Sequence, residues 1–170
     1  GYEIGKSFCE YEKVAKARQL LFLAAQKHTA IILPQDVVIG ERENKINGGE
    51  IRKVDEIPQG TSILDIGPET QAKFGSIISK AKTIVWNGPV GYFENPLFKR
   101  GTDFIYYAIT QNQEARSIVG GGDTIAAISK EEYLDKITHL STGGGAMLEF
   151  IEKGTLPGIE ALKQSPSSST

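Results

Sequence analysis

The hydrophobic and polar positions of the chain follow two periods, one typical of helices and one typical of strands. From Glu10 to His28 the apolar positions recur at helical spacing with basic residues between them, which predicts an amphipathic helix. Two short apolar runs at 30–33 and 36–39 predict strands. Residues 40–61 are polar and contain glycine, so we expect a loop or a hairpin that ends at the turn Pro58–Gly60.

From residue 62 onward, strand and helix patterns alternate. The predicted strands lie at 62–66, 83–86, 117–119 and 139–141. Four helical patterns lie between and after these strands. Two of them cover 69–82 and 98–113, a third begins at Thr124, and a fourth ends at Lys153. Repeated strand-turn-helix units of this size predict an α/β fold with a largely parallel sheet and helices on both of its faces. In such sheets ligands bind outside the carboxyl ends of the strands.

Glycine marks those strand ends. It accounts for 19 of the 170 residues, where about 12 would be ordinary. Glycine-rich loops follow three predicted strands, at 87–94, 120–124 and 141–146. Because the carboxyl ends of parallel strands share one edge of the sheet, we expect these three loops to face a common site.

Charge and cysteine content narrow the function classes. The 19 basic and 21 acidic residues give a net charge of -2, which argues against a nucleic-acid partner or an anionic membrane surface. No apolar run approaches the ~20 residues of a membrane span. Cys9 has no second cysteine for a disulfide, and two histidines cannot build a zinc finger. We therefore expect a cytoplasmic protein that holds any anionic ligand locally.

The triplet Gly120–Gly122, followed by Asp123 and Thr124, suits a phosphate. Glycines let backbone N–H groups approach the phosphate at the positive end of a helix, and Thr124 can donate its hydroxyl. Asp123 would repel a bare phosphate but suits one whose charge is shared by Mg²⁺. The alternative is that Asp123 only caps the helix and the glycines only allow tight packing.

Other loop residues offer weaker signals. Gly143–Gly145 could bind an anion or act as a hinge, and the amide of Asn87 could donate to a phosphate oxygen. Glu94 could accept ribose hydroxyls or be a solvated surface residue. Two nucleotide-binding motifs are absent: residues 1–7 have three residues between their glycines where the Walker A loop needs four, and no G-x-G-x-x-G occurs.

Several long segments closely resemble, in order and spacing, the C-terminal part of phosphoglycerate kinase. They are GKSFCEYEKVAKA (5–17), SILDIGPET (62–70), TIVWNGPVGYFE (83–94), SIVGGGDTIAAI (117–128) and HLSTGGGAMLEFIEKGTLPGIEAL (139–162). The resemblance implies a parallel-sheet, Rossmann-like three-layer domain that is truncated at its N-terminal side. Residues 1–162 would then be the C-terminal part of the nucleotide-binding domain, and 163–170, which include the low-complexity SPSSST, a disordered tail.

The resemblance also implies an activity. Such kinases pass a phosphoryl group reversibly between 1,3-bisphosphoglycerate and ADP, giving 3-phosphoglycerate and ATP in glycolysis, with Mg²⁺. They are phosphotransferases with a carboxyl group acceptor, expected here to be monomeric at full length. Their basic N-terminal domain, which binds the phosphoglycerate, and their lysine-bearing Gly-rich loop match nothing in this chain. The isolated chain is therefore expected to be an inactive fragment.

Residue by residue, the resemblance carries over to the three loops. Asp123 matches the acid that serves the metal-nucleotide, and Gly121, Gly122 and Thr124 match the phosphate-binding backbone and hydroxyl. Asn87 matches an amide near the terminal phosphates.

The resemblance adds three further assignments. Glu94 matches the acid that binds the ribose. Gly144 and Gly145 match the loop and helix start that close on the transferring group, and together with Gly122 they are the expected catalytic residues. At one position the chain differs, because Ile63 stands where many relatives have a glycine against the adenine.

Two other functions compete with a kinase fragment. An oxidoreductase-type nucleotide-binding domain would normally carry the G-x-G-x-x-G fingerprint that is missing here. A non-catalytic nucleotide-binding or interaction module is compatible with the same loops.

Overall fold

A computed structural model describes residues 2–43, 48–128 and 131–164. The chain forms two compact units. The first consists of the chain up to Phe74 together with Val90–Gly101, and the second of Gly75–Pro89 together with the chain from Thr102 onward. Across the described ranges no helix combines the length and apolar character needed to cross a membrane.

The first unit contains a three-stranded antiparallel sheet. Its strands are β1 (Asp36–Gly40), β2 (Glu50–Lys53) and β3 (Ser62–Ile66), in the order β2-β1-β3. The β1–β2 pair confirms the expected hairpin. The strand β3 was expected to join the parallel sheet, but it pairs antiparallel with β1 and sets Ile39 opposite Ile63. That pairing packs Ile63 against a buried apolar cluster. A shift of β3 by one residue would turn this side chain to the other face of the sheet, so the packing fixes the register of β3 against β1.

The predicted N-terminal helix is confirmed as α1 (Val14–Gln26), which follows a 3-10 turn at Tyr11–Lys13. Its apolar side chains are exposed, with Phe22 at 63%. The strand predicted at 30–33 is wrong. This run pairs with no described strand, its Leu33 is 59% exposed, and it ends at a proline, which lacks the N–H that a central strand needs.

The helix α2 (Pro68–Ile78) begins against a buried carboxylate from β1. Asp36 is 2% exposed, and its Oδ1 accepts from the Thr70 N–H (2.7 Å) and hydroxyl (2.6 Å). Its Oδ2 accepts from the Glu69 N–H at 3.0 Å. A Cβ on Gly67 would overlap this carboxylate, so only glycine fits there. Asp36 thus supplies the N-terminal cap of a helix more than thirty residues away.

The hydrogen bonds also set the ionisation of Asp36. Burial favours a raised pKa, but the Thr70 hydroxyl, the N–H groups of Glu69 and Thr70 and the charge of Lys53 together hold the pKa below the ordinary value of 3.8. Because the pKa of Asp36 is lower in the folded chain than in the unfolded chain, its carboxylate stabilises the fold at pH values above the pKa of the unfolded chain. This stabilisation is lost as the pH falls through the folded pKa.

We expect Asp36→Ala to lower the free energy of unfolding by about 2–4 kcal/mol at pH 7, because two helix N–H groups lose their acceptor. Urea unfolding at pH 7 and at decreasing pH measures the effect. The difference from the parent chain should shrink as the pH falls below 3.8. The exposed Asp55→Ala is the matched control. An equal loss in both variants, or a loss independent of pH, would contradict the cap.

The second unit contains a three-stranded parallel sheet. Its strands are β4 (Thr83–Asn87), β5 (Arg116–Gly120) and β6 (His139–Ser141), in the order β4-β5-β6. Four more α-helices lie in the described part of the chain: α3 (Arg100–Gln111), α4 (Gly122–Ala127), α5 (Gly144–Lys153) and α6 (Pro157–Gln164). The α/β class, the parallel sheet and its strand-turn-helix order are confirmed.

The boundary predicted at residue 162 falls inside a helix. The last helix, α6, continues through Lys163 to Gln164, so these two residues are not part of a disordered tail. The proline and glycine near the start of LPGIEAL are more typical of a turn than of a helix, although proline is well tolerated in the first turn of a helix. The segment SPSSST at 165–170 lies outside the described residues.

Aromatic packing stabilises the second unit beneath its loops. The Trp86 ring stacks on Tyr106 with centroids 6.4 Å apart, and both side chains are buried. Asn112 donates to the carbonyl oxygens of Ile78 (2.7 Å) and Ala81 (2.9 Å). The first bond adds a partner for the last carbonyl of α2, and the second fixes the turn that follows this helix.

Candidate functional site

The parallel register aligns the ends of the three strands in the second unit. Asn87 of β4 is paired with Gly120 of β5, and Gly120 is paired with Ser141 of β6. The loops that leave these strands therefore start at one edge of the sheet, as the α/β topology predicts. This edge is the one at which open α/β sheets bind ligands.

Three predicted residues from three different loops pack closely at this edge. A Cβ built on Gly144 would lie 2.6 Å from the Gly121 Cα and 2.8 Å from the Asn87 Oδ1. A Cβ on Gly121 would also lie 2.8 Å from that Oδ1. Gly121 has a φ of +96°, which disfavours any larger residue. Only glycine at 121 and 144 lets the Asn87 side chain sit between the two loops.

A second set of contacts braces the loop after β4. The Gly88 N–H donates to the Thr124 Oγ1 at 2.7 Å, and the Trp86 Nε1–H donates to the Gly88 carbonyl at 2.8 Å. Thr124 was predicted to offer its hydroxyl to a phosphate, but its side chain is fully buried and its oxygen accepts from the loop. The contribution of Trp86 and Gly88 was missed in the sequence. Only a glycine directly after a strand hinted at it.

Two helices start at this edge without a side-chain cap. The N-caps of α4 and α5 are Gly121 and Gly143, and neither helix start receives a side-chain hydrogen bond. Gly122 and Gly145, the residues at these helix starts, are exposed, and a Cβ on either would meet nothing within 4 Å. Backbone N–H groups at an uncapped helix start need acceptors, and an anion can supply them.

Asp123 lies in the first turn of α4 and is exposed. The alternative that Asp123 caps the helix is excluded, because the N-cap is Gly121. Asp123 is also the only charged residue in the sequences 87–89, 120–124 and 141–146. A phosphate bound beside it would be repelled unless a cation were shared between them.

The residues around Asp123 suit a cation that binds together with a phosphate. The described part of the chain contains no group of three or more His, Cys, Asp and Glu residues that could hold a metal ion. Mg²⁺ commonly binds through one or two carboxylates together with phosphate oxygens and water. Asp123 can supply such a single carboxylate, so the residues fit magnesium bound jointly with phosphate.

Glu94 belongs to the first unit and lines a cavity of about 370 Å³. Its side chain is exposed and shares the cavity with Arg42, Tyr92 and Asn95. A carboxylate in such a cavity can accept hydrogen bonds from the hydroxyl groups of a ligand.

A parallel sheet with glycine-rich loops and uncapped helices at its carboxyl edge defines an α/β protein of the Rossmann-like class. A family model described as phosphoglycerate kinase matches residues 1–154. The chain belongs to the phosphoglycerate kinase family.

Named relatives agree with this family membership. The chain is 42% identical over 165 residues to phosphoglycerate kinase of Desulfosudis oleivorans, covering 97% of this chain and 41% of the relative. It is 45% identical over 163 residues to phosphoglycerate kinase of Dictyoglomus turgidum, covering 96% of this chain and 41% of that relative. The chain thus spans about two fifths of the length of these relatives.

Solved structures give the same result. The structure of phosphoglycerate kinase from Coxiella burnetii superposes with a TM-score of 0.88 at 41% identity, over 96% of this chain and 42% of the other. The crystal structure of phosphoglycerate kinase from Pyrococcus horikoshii gives a TM-score of 0.66 at 31% identity, over 96% of this chain and 41% of the other. The fold is therefore that of part of a phosphoglycerate kinase.

Proposed function

We propose that this chain carries the part of a phosphoglycerate kinase that binds the phosphates of Mg-ADP and Mg-ATP. The observation that carries the proposal is the close approach of Asn87, Gly121 and Gly144 beside the uncapped start of α4. Gly122 and Gly145 are exposed at the two helix starts and carry no side chain, so a phosphate can reach backbone N–H donors there directly.

The proposed reaction transfers a phosphoryl group from the acyl phosphate of 1,3-bisphosphoglycerate to ADP. A β-phosphate oxygen of ADP forms the new P–O bond, while the bond between phosphorus and the carboxyl oxygen breaks. The products are 3-phosphoglycerate, which keeps that oxygen as a carboxylate, and ATP. Phosphoryl transfer of this kind depends on positioning and electrostatic stabilisation more than on covalent chemistry by the protein.

Each loop has a role in this reaction. The N–H group of Gly122 and the amide of Asn87 orient the nucleotide phosphates. Gly121, whose own N–H donates to the Ser141 carbonyl at 3.3 Å, adds no side chain that would block them. Gly144 and Gly145 supply the start of α5, whose N–H groups donate to the transferring phosphoryl group. Thr124 acts through Gly88, because its hydroxyl oxygen accepts the N–H of that residue.

Asp123 holds the cation in this proposal. Mg²⁺, when bound, neutralises the phosphate charge that would otherwise oppose transfer. The exposed carboxylate of Asp123 lies in the first turn of α4, next to the N–H groups that bind phosphate. Its function is to fix the metal-nucleotide relative to those donors.

The partners follow from this assignment. ADP and ATP are the nucleotide substrates, and the phosphoglycerate is bound by the part of the kinase that this chain does not cover. The full-length enzyme would act in glycolysis, as a monomer in the cytoplasm.

The test is an assay of the full-length gene product that contains this sequence. ATP, Mg²⁺ and 3-phosphoglycerate are supplied, and formation of 1,3-bisphosphoglycerate is followed through NADH oxidation by a coupling dehydrogenase. Turnover that requires both substrates and Mg²⁺ supports the proposal. Mg-ADP binding without turnover would reduce the protein to a nucleotide-binding module, and neither binding nor turnover would refute the proposal entirely.

Glu94 gives a separate prediction about the nucleoside. We expect Glu94→Ala in the full-length gene product to raise the KM for ADP about tenfold and to change kcat less than about threefold, because a ribose contact contributes equally to ground and transition states. Steady-state kinetics at saturating second substrate measure both constants. Exposed Glu56→Ala serves as the control. An unchanged KM in the Glu94 variant would leave this carboxylate as a surface group.

A further inference from the structure

The loop that carries Glu94 is fixed on both sides of this residue. On one side the Tyr92 N–H donates to the Leu64 carbonyl of β3 at 2.7 Å. On the other side the Asn95 Oδ1 accepts from the Leu97 N–H at 3.0 Å and caps the 3-10 helix Pro96–Phe98. The placement of Glu94 therefore depends on what holds Tyr92 and Asn95.

Arg42 contacts both of these flanking residues from a distant part of the sequence. Its guanidinium carbon lies 5.5 Å from the centroid of the Tyr92 ring, within the range of a cation–π interaction. Its carbonyl oxygen accepts a hydrogen bond from the Asn95 Nδ2 at 3.3 Å. Arg42 thus ties the Glu94 loop to the segment that leaves β1.

Arg42 and Tyr92 also line two cavities. One, of about 370 Å³, contains Glu94. The other, of about 340 Å³, has apolar walls that include Ile63 and Leu64. A ligand with a hydroxylated half and a flat apolar half would match these two cavities. A nucleoside has both halves, the ribose and the base.

We propose that Arg42 is a positioning residue for the nucleoside half of the substrate. Its guanidinium holds the Tyr92 ring, and through it the loop that presents the Glu94 carboxylate to ribose hydroxyls. This inference rests on the proposed function, since it assumes that Glu94 binds the nucleotide. Because Arg42 acts through Glu94, its loss weakens nucleotide binding without touching the transfer step.

The test uses single and double variants of the full-length gene product. Arg42→Ala should raise the KM for ADP about threefold, the size expected when an exposed cation–π contact is lost, with kcat unchanged. Arg42→Lys keeps a cation over the ring and should restore most of the affinity. In the Glu94→Ala background, Arg42→Ala should have no further effect, since the group that Arg42 positions is already absent. Arg18→Ala, at another exposed arginine of the same unit, is the matched control.

The outcomes separate this inference from the proposed function. If Glu94→Ala raises KM but Arg42→Ala does not, or if the two effects multiply in the double variant, the positioning role is wrong and the kinase assignment stands. If Glu94→Ala leaves KM unchanged while Mg²⁺-dependent turnover persists, both the ribose assignment and the role of Arg42 fail. Loss of kcat in Arg42→Ala would point to general damage to the fold and would also overturn the proposal.

Discussion

Replacing Asp123 by alanine in the full-length gene product is expected to lower kcat by about 100-fold or more, the usual loss when charge stabilisation of a transition state is removed. The fold should be preserved, because Asp123 is exposed and does not cap α4. Steady-state phosphoryl transfer across a Mg²⁺ titration, with thermal unfolding in parallel, measures both effects.

Two further variants sharpen this test. Asp123→Asn keeps the shape of the side chain but not its charge, so it should lose nearly as much activity as the alanine variant. Asp135→Ala removes another exposed aspartate of the same unit and should leave turnover unchanged. Full activity of Asp123→Ala at every Mg²⁺ concentration would refute the assignment of this carboxylate to the metal.

The second large effect concerns the 170-residue chain by itself. Mixed with 1,3-bisphosphoglycerate, ADP and Mg²⁺, it is expected to show no phosphoryl transfer above background. The sequences 87–94, 120–124 and 141–146 contain no lysine or arginine to orient the acyl phosphate and offset its charge. Orientation and electrostatic stabilisation account for most of the rate of phosphoryl transfer.

A coupled assay of the purified chain beside the full-length gene product decides this point. Circular dichroism establishes that the chain is folded, and mass spectrometry establishes that no host kinase contaminates it. Turnover comparable to that of the full-length product would contradict the account, because it would require a cation or base that these loops lack.

The sequence predicts the second unit well because its signals are local. The strands β4 and β5 contain short apolar runs bounded by polar or glycine residues, and the short β6 directly precedes a glycine-rich loop. The structure places all three within a residue of the expected positions. The convergence of Asn87, Gly121 and Gly144 also follows from the sequence, since parallel strands bring their carboxyl ends to one edge.

Contacts between distant residues could not be predicted in the same way. An apolar run indicates a strand but not its partner, so β3 was recognised while its antiparallel pairing with β1 was not. The run at 30–33 has the composition of a strand and lacks a described neighbour. The cap that Asp36 gives to α2 and the brace between Thr124 and Gly88 join residues more than thirty positions apart, which periodicity does not reveal.

The most direct measurement of the central claim is a crystal structure of the full-length gene product with Mg-ADP. We expect the phosphates at the starts of α4 and α5, within hydrogen-bond distance of the N–H group of Gly122, with Asp123 as a ligand of the metal. Nucleotide bound at full occupancy with its phosphates away from these loops would contradict the account.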